Sequence, residues 1–439
     1  MANVNIRTPR FYCDYINFLD SRDVAGGHYG IETGTNQINF VNTAIDSVAE
    51  LYDMKPLNQV EFNTTGDTDG TVNLWLDLKT SGFRVDFVAI LNHNMHSADA
   101  KVRVSNSDTL SSVKSVDHLQ TLTVDSLTPG NTAWQTNQTH GATAQFVTSG
   151  SGTGMTCSIV TTADTGVATF TIVTGGVGYA VDDTVTFRDP GNTINTAVLT
   201  IATASSNTFP TLISRLGVEA VSNNLAQSDD TDSWGRGHTI IEFSESNARY
   251  WGIQFEGMNS QTNLGANNGT FDGSTNLKIG CILLGQYYDM PNSPDLSVKR
   301  SIKFDGVNTQ ESLGGQRYAT MTNSGRQNIS GSNKSPFHTY YNTFGAYGGR
   351  MTYDMKFSYL ASTDVMPNNY YEFQNTDEAV VEDVWNKTNG RHIPFIFTQN
   401  SGSTDYSDYL FARFAQNSLD MTQVAPDVFD VSMKIEEEF

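Results

Sequence analysis

His93 and His96 stand three residues apart at the end of an apolar run, a spacing that brings two imidazoles near one point. A zinc site takes at least three protein ligands, and no third is identifiable nearby, so polar loop contacts are expected and no metal is. Two acidic loops, Gly66-Asp67-Thr68-Asp69-Gly70 and Asp229-Asp230-Thr231-Asp232, carry the oxygen donors that calcium prefers. They lack the spacing and closing Glu of an EF-hand, which leaves Asx-turn chemistry as the expected use. Carboxylate pairs for glycoside hydrolysis can lie far apart in a chain, and among 47 acids finding some pair carries no information. Trp75, Trp134, Trp234, Tyr287 and Tyr288 have rings that could stack on sugars, but core or subunit-interface packing is the commoner use of such rings. Glu436-Glu437-Glu438 reads as a solvated acidic end to a final strand. No G-x-S-x-G, H-E-x-x-H or G-x-x-x-x-G-K-[ST] occurs, which removes the commonest hydrolase, zincin and nucleotide-hydrolase readings. The expectation is a protein without catalytic residues, cofactor or metal, and not an enzyme.

Composition explains why reactive clusters are scarce. Of the 439 residues, 38% are hydrophobic, 17% charged and 11% aromatic, so the chain is polar through Gly, Asn, Thr and Ser rather than through salt. The 24 Phe and 18 Tyr can fill several cores, and the aromatic- and Thr-rich, turn-rich texture is that of a β-protein. The length suits about three domains, or two with a large insertion. A net charge of −21 opposes contact with phosphates, so no sequence-specific nucleic-acid partner is expected. Cys13, Cys157 and Cys281 are odd in number and far apart; they read as buried small hydrophobes in a chain made in a reducing cytosol. The first ten residues have no apolar signal core, and the longest apolar runs are strand-sized, so neither secretion by signal peptide nor membrane insertion is expected.

The elements follow from periodicity. Residues 1–60 read as an N-terminal arm with one helix over 43–52, where Ala44, Val48 and Leu51 share a face and Pro56 follows. Residues 61–130 and 216–295 read as the two segments of a β-sandwich. In that sandwich Val72, Leu74, Leu76 and Leu78 alternate, residues 86–91 are continuously apolar, and Trp251, Ile253 and Phe255 share a face. Between them, residues 131–215 turn to Thr, Gly, Ser and Val with almost no basic residues, which predicts a small inserted β-module. It carries strands over 170–173 and 184–187, linked through Gly175-Gly176-Val177-Gly178. Met290-Pro291-Asn292-Ser293-Pro294 reads as a linker. Residues 300–439 then alternate again (Met351, Tyr353, Met355 and Phe357; Phe429, Val431, Met433 and Ile435) around one helix near 376–389. That helix would be capped by Asn375 or Thr376 and ended by Gly390. Strands wrapped on one helix predict an α+β barrel, and no fixed-period repeat argues for a solenoid or propeller.

The run Arg249-Tyr250-Trp251 leading to Phe255, with Ile279-Gly280 and Leu284-Gly285, resembles late strands of the discoidin-like, galactose-binding-like sandwich of tailed-bacteriophage tail proteins. Residues 85–94 resemble an early strand and loop of the same module. The ending, Phe411-Ala412-Arg413-Phe414 through Val424-Ala425-Pro426 to Phe429-Asp430-Val431 and Ile435-Glu436-Glu437, resembles the closing strands of distal-tail or baseplate proteins. The Gly-rich insert is similar to β-modules of marine-phage virion proteins. These patches cover about half the chain and match in strand texture, not in catalytic residues. The resemblance implies a mainly β protein, with a jelly-roll or discoidin-like sandwich followed by a split barrel of the tail-tube kind. It also implies a structural virion subunit, synthesised in the host cytoplasm, that forms a homo-oligomeric, sixfold ring with tube, hub or fibre proteins. The alternative is a carbohydrate- or receptor-binding virion protein that acts in host adsorption through a surface glycan; a depolymerase or a head or neck component is a more distant alternative.

Overall fold

A computed structural model describes residues 7–22, 27–33, 37–56, 58–66, 70–114, 122–129, 137–150, 155–161, 167–174, 179–189, 191–204, 211–217, 224–228, 237–257, 270–303, 307–321, 350–367, 378–403 and 408–438. The chain is mainly β, and every strand ladder among the described residues is antiparallel. Two compact units divide it: one of residues 1–108, 212–260 and 268–439, the other of residues 109–211 and 261–267.

The larger unit is organised by an eleven-stranded sheet that takes strands from both ends of the chain. Its centre is Arg10–Asp14, where an arm was expected. One edge of that strand pairs with Cys281–Asp289 and the other with Phe395–Thr398. The five residues RFYCD do not alternate in polarity because both faces of the strand are buried. Phe11 and Cys13 enter a core with Phe357, Phe395, Phe414 and Val431, while Tyr12 enters a second core with Phe87 and Phe411. The second core is shared with a five-stranded sheet, to which Leu74, Leu76, Val104, Trp251 and Ile253 belong. The expected linker at 290–294 therefore joins strands of one continuous sheet, Cys281–Asp289 and Lys299–Lys303.

The smaller unit has its own six-stranded sheet and its own core of Met155, Cys157, Ile159, Val185, Phe187, Leu199 and Ile201. Strands Thr156–Thr161 and Thr184–Asp189 alternate between buried and half-exposed positions, as a one-sided sheet requires. Val167–Thr174 and Thr184–Asp189, consecutive among the strands in sequence, are not neighbours; two strands lie between them.

Both expected helices are shorter than their periodicity suggested. Over 43–52 only Val48–Tyr52 is helical, as a 3-10 turn, because Ser47 caps it: the Glu50 carboxylate accepts the Ser47 amide at 3.1 Å. The helix near 376–389 is a π-helix, Val380–Asn386, which begins after Ala379. Asn375 and Thr376 lie outside the described residues. Gly390 does end the segment, at φ +61°, with its amide on the Trp385 carbonyl at 2.9 Å.

Candidate functional site

The residues singled out in sequence are scattered. His93 is fully buried, and burial lowers its imidazole to about 3. Its Nδ1 accepts the Met95 amide at 3.3 Å, so Nε2 carries the proton toward Thr239 Oγ1 at 2.9 Å. The ring is a core hydrogen-bonding group, and His96 lies half-exposed beyond it. Among the described residues no group of three His, Cys, Asp or Glu side chains is placed to hold a metal. Asp67, Asp69, Asp229, Asp230, Asp232, Trp134 and Trp234 lie outside the described residues. Trp75 lies against Gly30, where an added Cβ would fall 2.3 Å from the indole. Tyr287 lies under the Arg10 guanidinium at 4.0 Å, and Tyr288 is buried with its hydroxyl on the Asp364 carbonyl at 3.4 Å. The three cysteines are free and buried, and burial raises each thiol.

The acidic end differs from its expected solvated state. Glu437 is buried and accepts the Met351 amide at 2.8 Å, while Glu438 pairs with Arg413 at 3.1 Å and Arg350 at 3.6 Å. The antiparallel ladder between Val428–Glu437 and Arg350–Ala361 brings Arg350 and Met351 to this end from more than 70 residues away, and the ladder with Tyr409–Phe414 brings Arg413.

What the sequence did not disclose is a chain of polar side chains, most of them buried, along the central strand. Arg10 forks both nitrogens onto Asp289, at 2.6 and 2.7 Å, and its third reaches Glu242 at 2.5 Å. The Tyr12 hydroxyl donates to the same Glu242 oxygen at 2.6 Å. Asp14 caps the helix Tyr15–Ser21 through the Asn17 amide at 2.8 Å and takes the Leu284 amide at 3.0 Å. Burial nevertheless raises the Asp14 carboxyl to about 6, against the lowering by those bonds. Beyond it, Gln286 Oε1 accepts from Tyr15 at 2.8 Å and from the Lys387 ammonium at 3.0 Å. Lys387 also holds Asp383, on the π-helix, at 2.8 Å. Asp86 stands beside this chain with the Tyr287 amide at 2.8 Å; burial raises its carboxyl to about 8, and Glu242 and Glu245 add to the rise. These groups arrive from strands and helices hundreds of residues apart, so no local motif could announce them. Chemically they lock the central strand and the π-helix together rather than present an open reacting face.

Exposure concentrates at the C-terminal edge. Lys299–Lys303 is the last strand of the large sheet and is exposed apart from the half-buried Ser301. After it comes a hairpin, Val307–Glu311 with Arg317–Met321, that forms a two-stranded sheet of its own and is exposed wherever it is described. Leu296 is 94% exposed, Ile302 59%, Tyr318 55%, and Leu313 fully. Asp420–Ala425, paired only to Val428–Glu437, is also exposed along its length and carries Met421 and Val424 outward. A lone two-stranded hairpin is marginal in water, and single exposed apolar residues are ordinary on a protein surface.

No protein-family model, curated protein or solved structure matches the chain.

Proposed function

We propose that this chain is a structural, self-associating subunit of a bacteriophage tail, of the distal-tail, baseplate or adaptor-ring type, located in the virion. The single observation that carries the reading is the C-terminal edge, with its open strand Lys299–Lys303, its freestanding hairpin and the apolar side chains Leu296, Ile302 and Leu313 facing water. A second copy is the occupant that suits it. Lys299, Arg300 and Lys303 make this edge basic in a chain of net charge −21, so the body of a neighbouring copy is the opposite in sign. An edge-to-body contact is heterologous, and heterologous contacts close into rings when the rotation closes. On this reading the core shared by the five-stranded and eleven-stranded sheets is a discoidin-like sandwich. The C-terminal strands around the π-helix are then a split barrel of the tail-tube kind, and the ring is hexameric, bound to tube, hub or fibre proteins. The absence of a membrane-length apolar helix among the described residues is compatible with a virion subunit.

The test is mass photometry and sedimentation of the purified chain across the micromolar range, beside Ile302→Lys and Leu313→Asp. Discrete multimers for the parent and at least a tenfold rise in dissociation constant for both variants, with unchanged melting, are expected. A parent that stays monomeric at every concentration would sink the reading. Immunogold labelling that misses the tail of intact particles would sink the placement in a virion tail.

A further inference from the structure

A cleft of about 590 Å³ opens where the turn after the π-helix meets the end of the first helix. Its wall carries three guanidiniums, Arg22, Arg391 and Arg413, and the His392 imidazole, with no carboxylate in the lining. In a chain with 47 acids and 26 Lys and Arg, that is a local inversion of sign. An adjoining cleft of about 920 Å³ shares His392 and Arg413 but also holds Asp20, Asp53, Lys55 and Glu438, so its carboxylates outnumber its Lys and Arg.

The basic cleft is shaped by its backbone. Asn389 and Gly390 both take positive φ, 48° and 61°, folding the turn back over Trp385. An added Cβ at Gly390 would lie 3.1 Å from the Trp385 ring, a tight contact, and the positive φ also favours glycine there. The carbonyls that end the π-helix are already occupied: Trp385 O by the Gly390 amide at 2.9 Å and Asn386 O by the Asn389 amide at 3.1 Å. The carbonyls of Arg391 and His392 take Arg413 Nη1 at 3.3 and 2.7 Å. The negative groups that would repel an anion are thereby engaged. The Asn389 side-chain Nδ2 donates to Ser21 Oγ, tying the turn to the first helix. Arg413 is partly neutralised by Glu438 at 3.1 Å. Arg391 is exposed, and Arg22, also exposed, lies over the Phe18 ring at 5.1 Å within the field of the Glu382 carboxylate.

We infer that this cleft binds an acidic saccharide, one bearing a carboxylate or sulfate. Guanidiniums fork onto such anions, while the carboxamide of Asn417 and the oxygen of Asn386, whose Nδ2 donates to Glu382 at 3.1 Å, supply the donors and acceptors that sugar hydroxyls need. Trp385, half-exposed in the wall, offers an apolar surface to a sugar ring. The volume falls in the range that holds a small ligand of one or two rings. A bare anion would use the arginines alone and would leave the amides and indole unengaged. The site does not rest on ring assembly, and neither Ile302 nor Leu313 is in its lining.

The test is calorimetric titration of the full chain with a glucuronate-containing disaccharide, a sulfated disaccharide, the neutral disaccharide of the same linkage, and inorganic sulfate. Saturable binding of at least one acidic disaccharide, tenfold or more tighter than either the neutral sugar or sulfate, is expected. Arg22→Ala with Arg391→Ala together should weaken it at least tenfold without moving the melting temperature, while Arg317→Ala on the exposed hairpin should not. Ile302→Lys should bind as the parent does, which separates this site from self-association. No binding, equal binding of sulfate alone, or equal binding of the neutral sugar would overturn the inference.

Discussion

Asp86 shows how far burial can move a single group. Its folded carboxyl sits at about 8 while an unfolded aspartate titrates near 3.8, so across that window the folded chain holds a proton that the unfolded chain has released. Stability must therefore fall as pH rises through the window. Asp14 acts in the same direction only up to about 6. His93, lowered to about 3 from 6.5, acts oppositely, but only below 6.5. Between pH 6.5 and 8 the Asp86 contribution stands alone among these three, at most about 2 kcal/mol at 1.36 kcal/mol per unit. Asp86→Asn keeps the oxygen that accepts the Tyr287 amide and removes the titration. Denaturant midpoints for that variant should be flat from pH 6.5 to 8 while those of the parent decline; parallel declines would show that another group is responsible.

At the level of strands, the tightest constraint is the approach of the central strand to its partner. Gly285 pairs with Asp14, and a Cβ there would fall 1.9 Å from the Cys13 carbonyl oxygen. That oxygen is backbone and cannot swing away, so Gly285→Ala should cost about 3 kcal/mol, the upper end for overpacking. Gly273→Ala, with nothing within 4 Å of its Cβ, should stay within about 0.5 kcal/mol of the parent. Urea titrations of the two variants, read side by side, check both values. Strands with one or both faces in a core were legible from sequence: Val72–Asp77, Val85–His93, Tyr250–Gly257 and Val428–Glu437 all lie where alternation or continuous apolarity put them. Arg10–Asp14 was not, because five mixed residues carry no period and their partners lie beyond residue 280. The π-helix was foreseen only as a helix, since Val381, Val384 and Trp385 suit a 3.6-residue repeat equally well. The Arg10 pairs with Asp289 and Glu242 escaped for the same reason as the strand: charge pairing across a sheet depends on register that only the fold reveals, whereas Asp383 and Lys387 stand four residues apart on one helix.

For the molecule as a whole, two compact units with separate sheets and separate cores predict two steps in thermal unfolding. Differential scanning calorimetry should resolve two transitions, with the smaller enthalpy belonging to residues 109–211. A single transition whose calorimetric and van't Hoff enthalpies agree would mean that the two units melt as one. The position of Arg10–Asp14 has a further consequence, for synthesis. Its two neighbours in the sheet leave the ribosome long after it does, and at ~5–20 residues per second roughly 20–80 s pass between making Asp14 and making Thr398. Until Cys281–Asp289 is made, Phe11, Tyr12 and Cys13 lack both neighbours in the sheet, so this strand has to be shielded from other chains, and its second edge is paired only once Phe395–Thr398 follows.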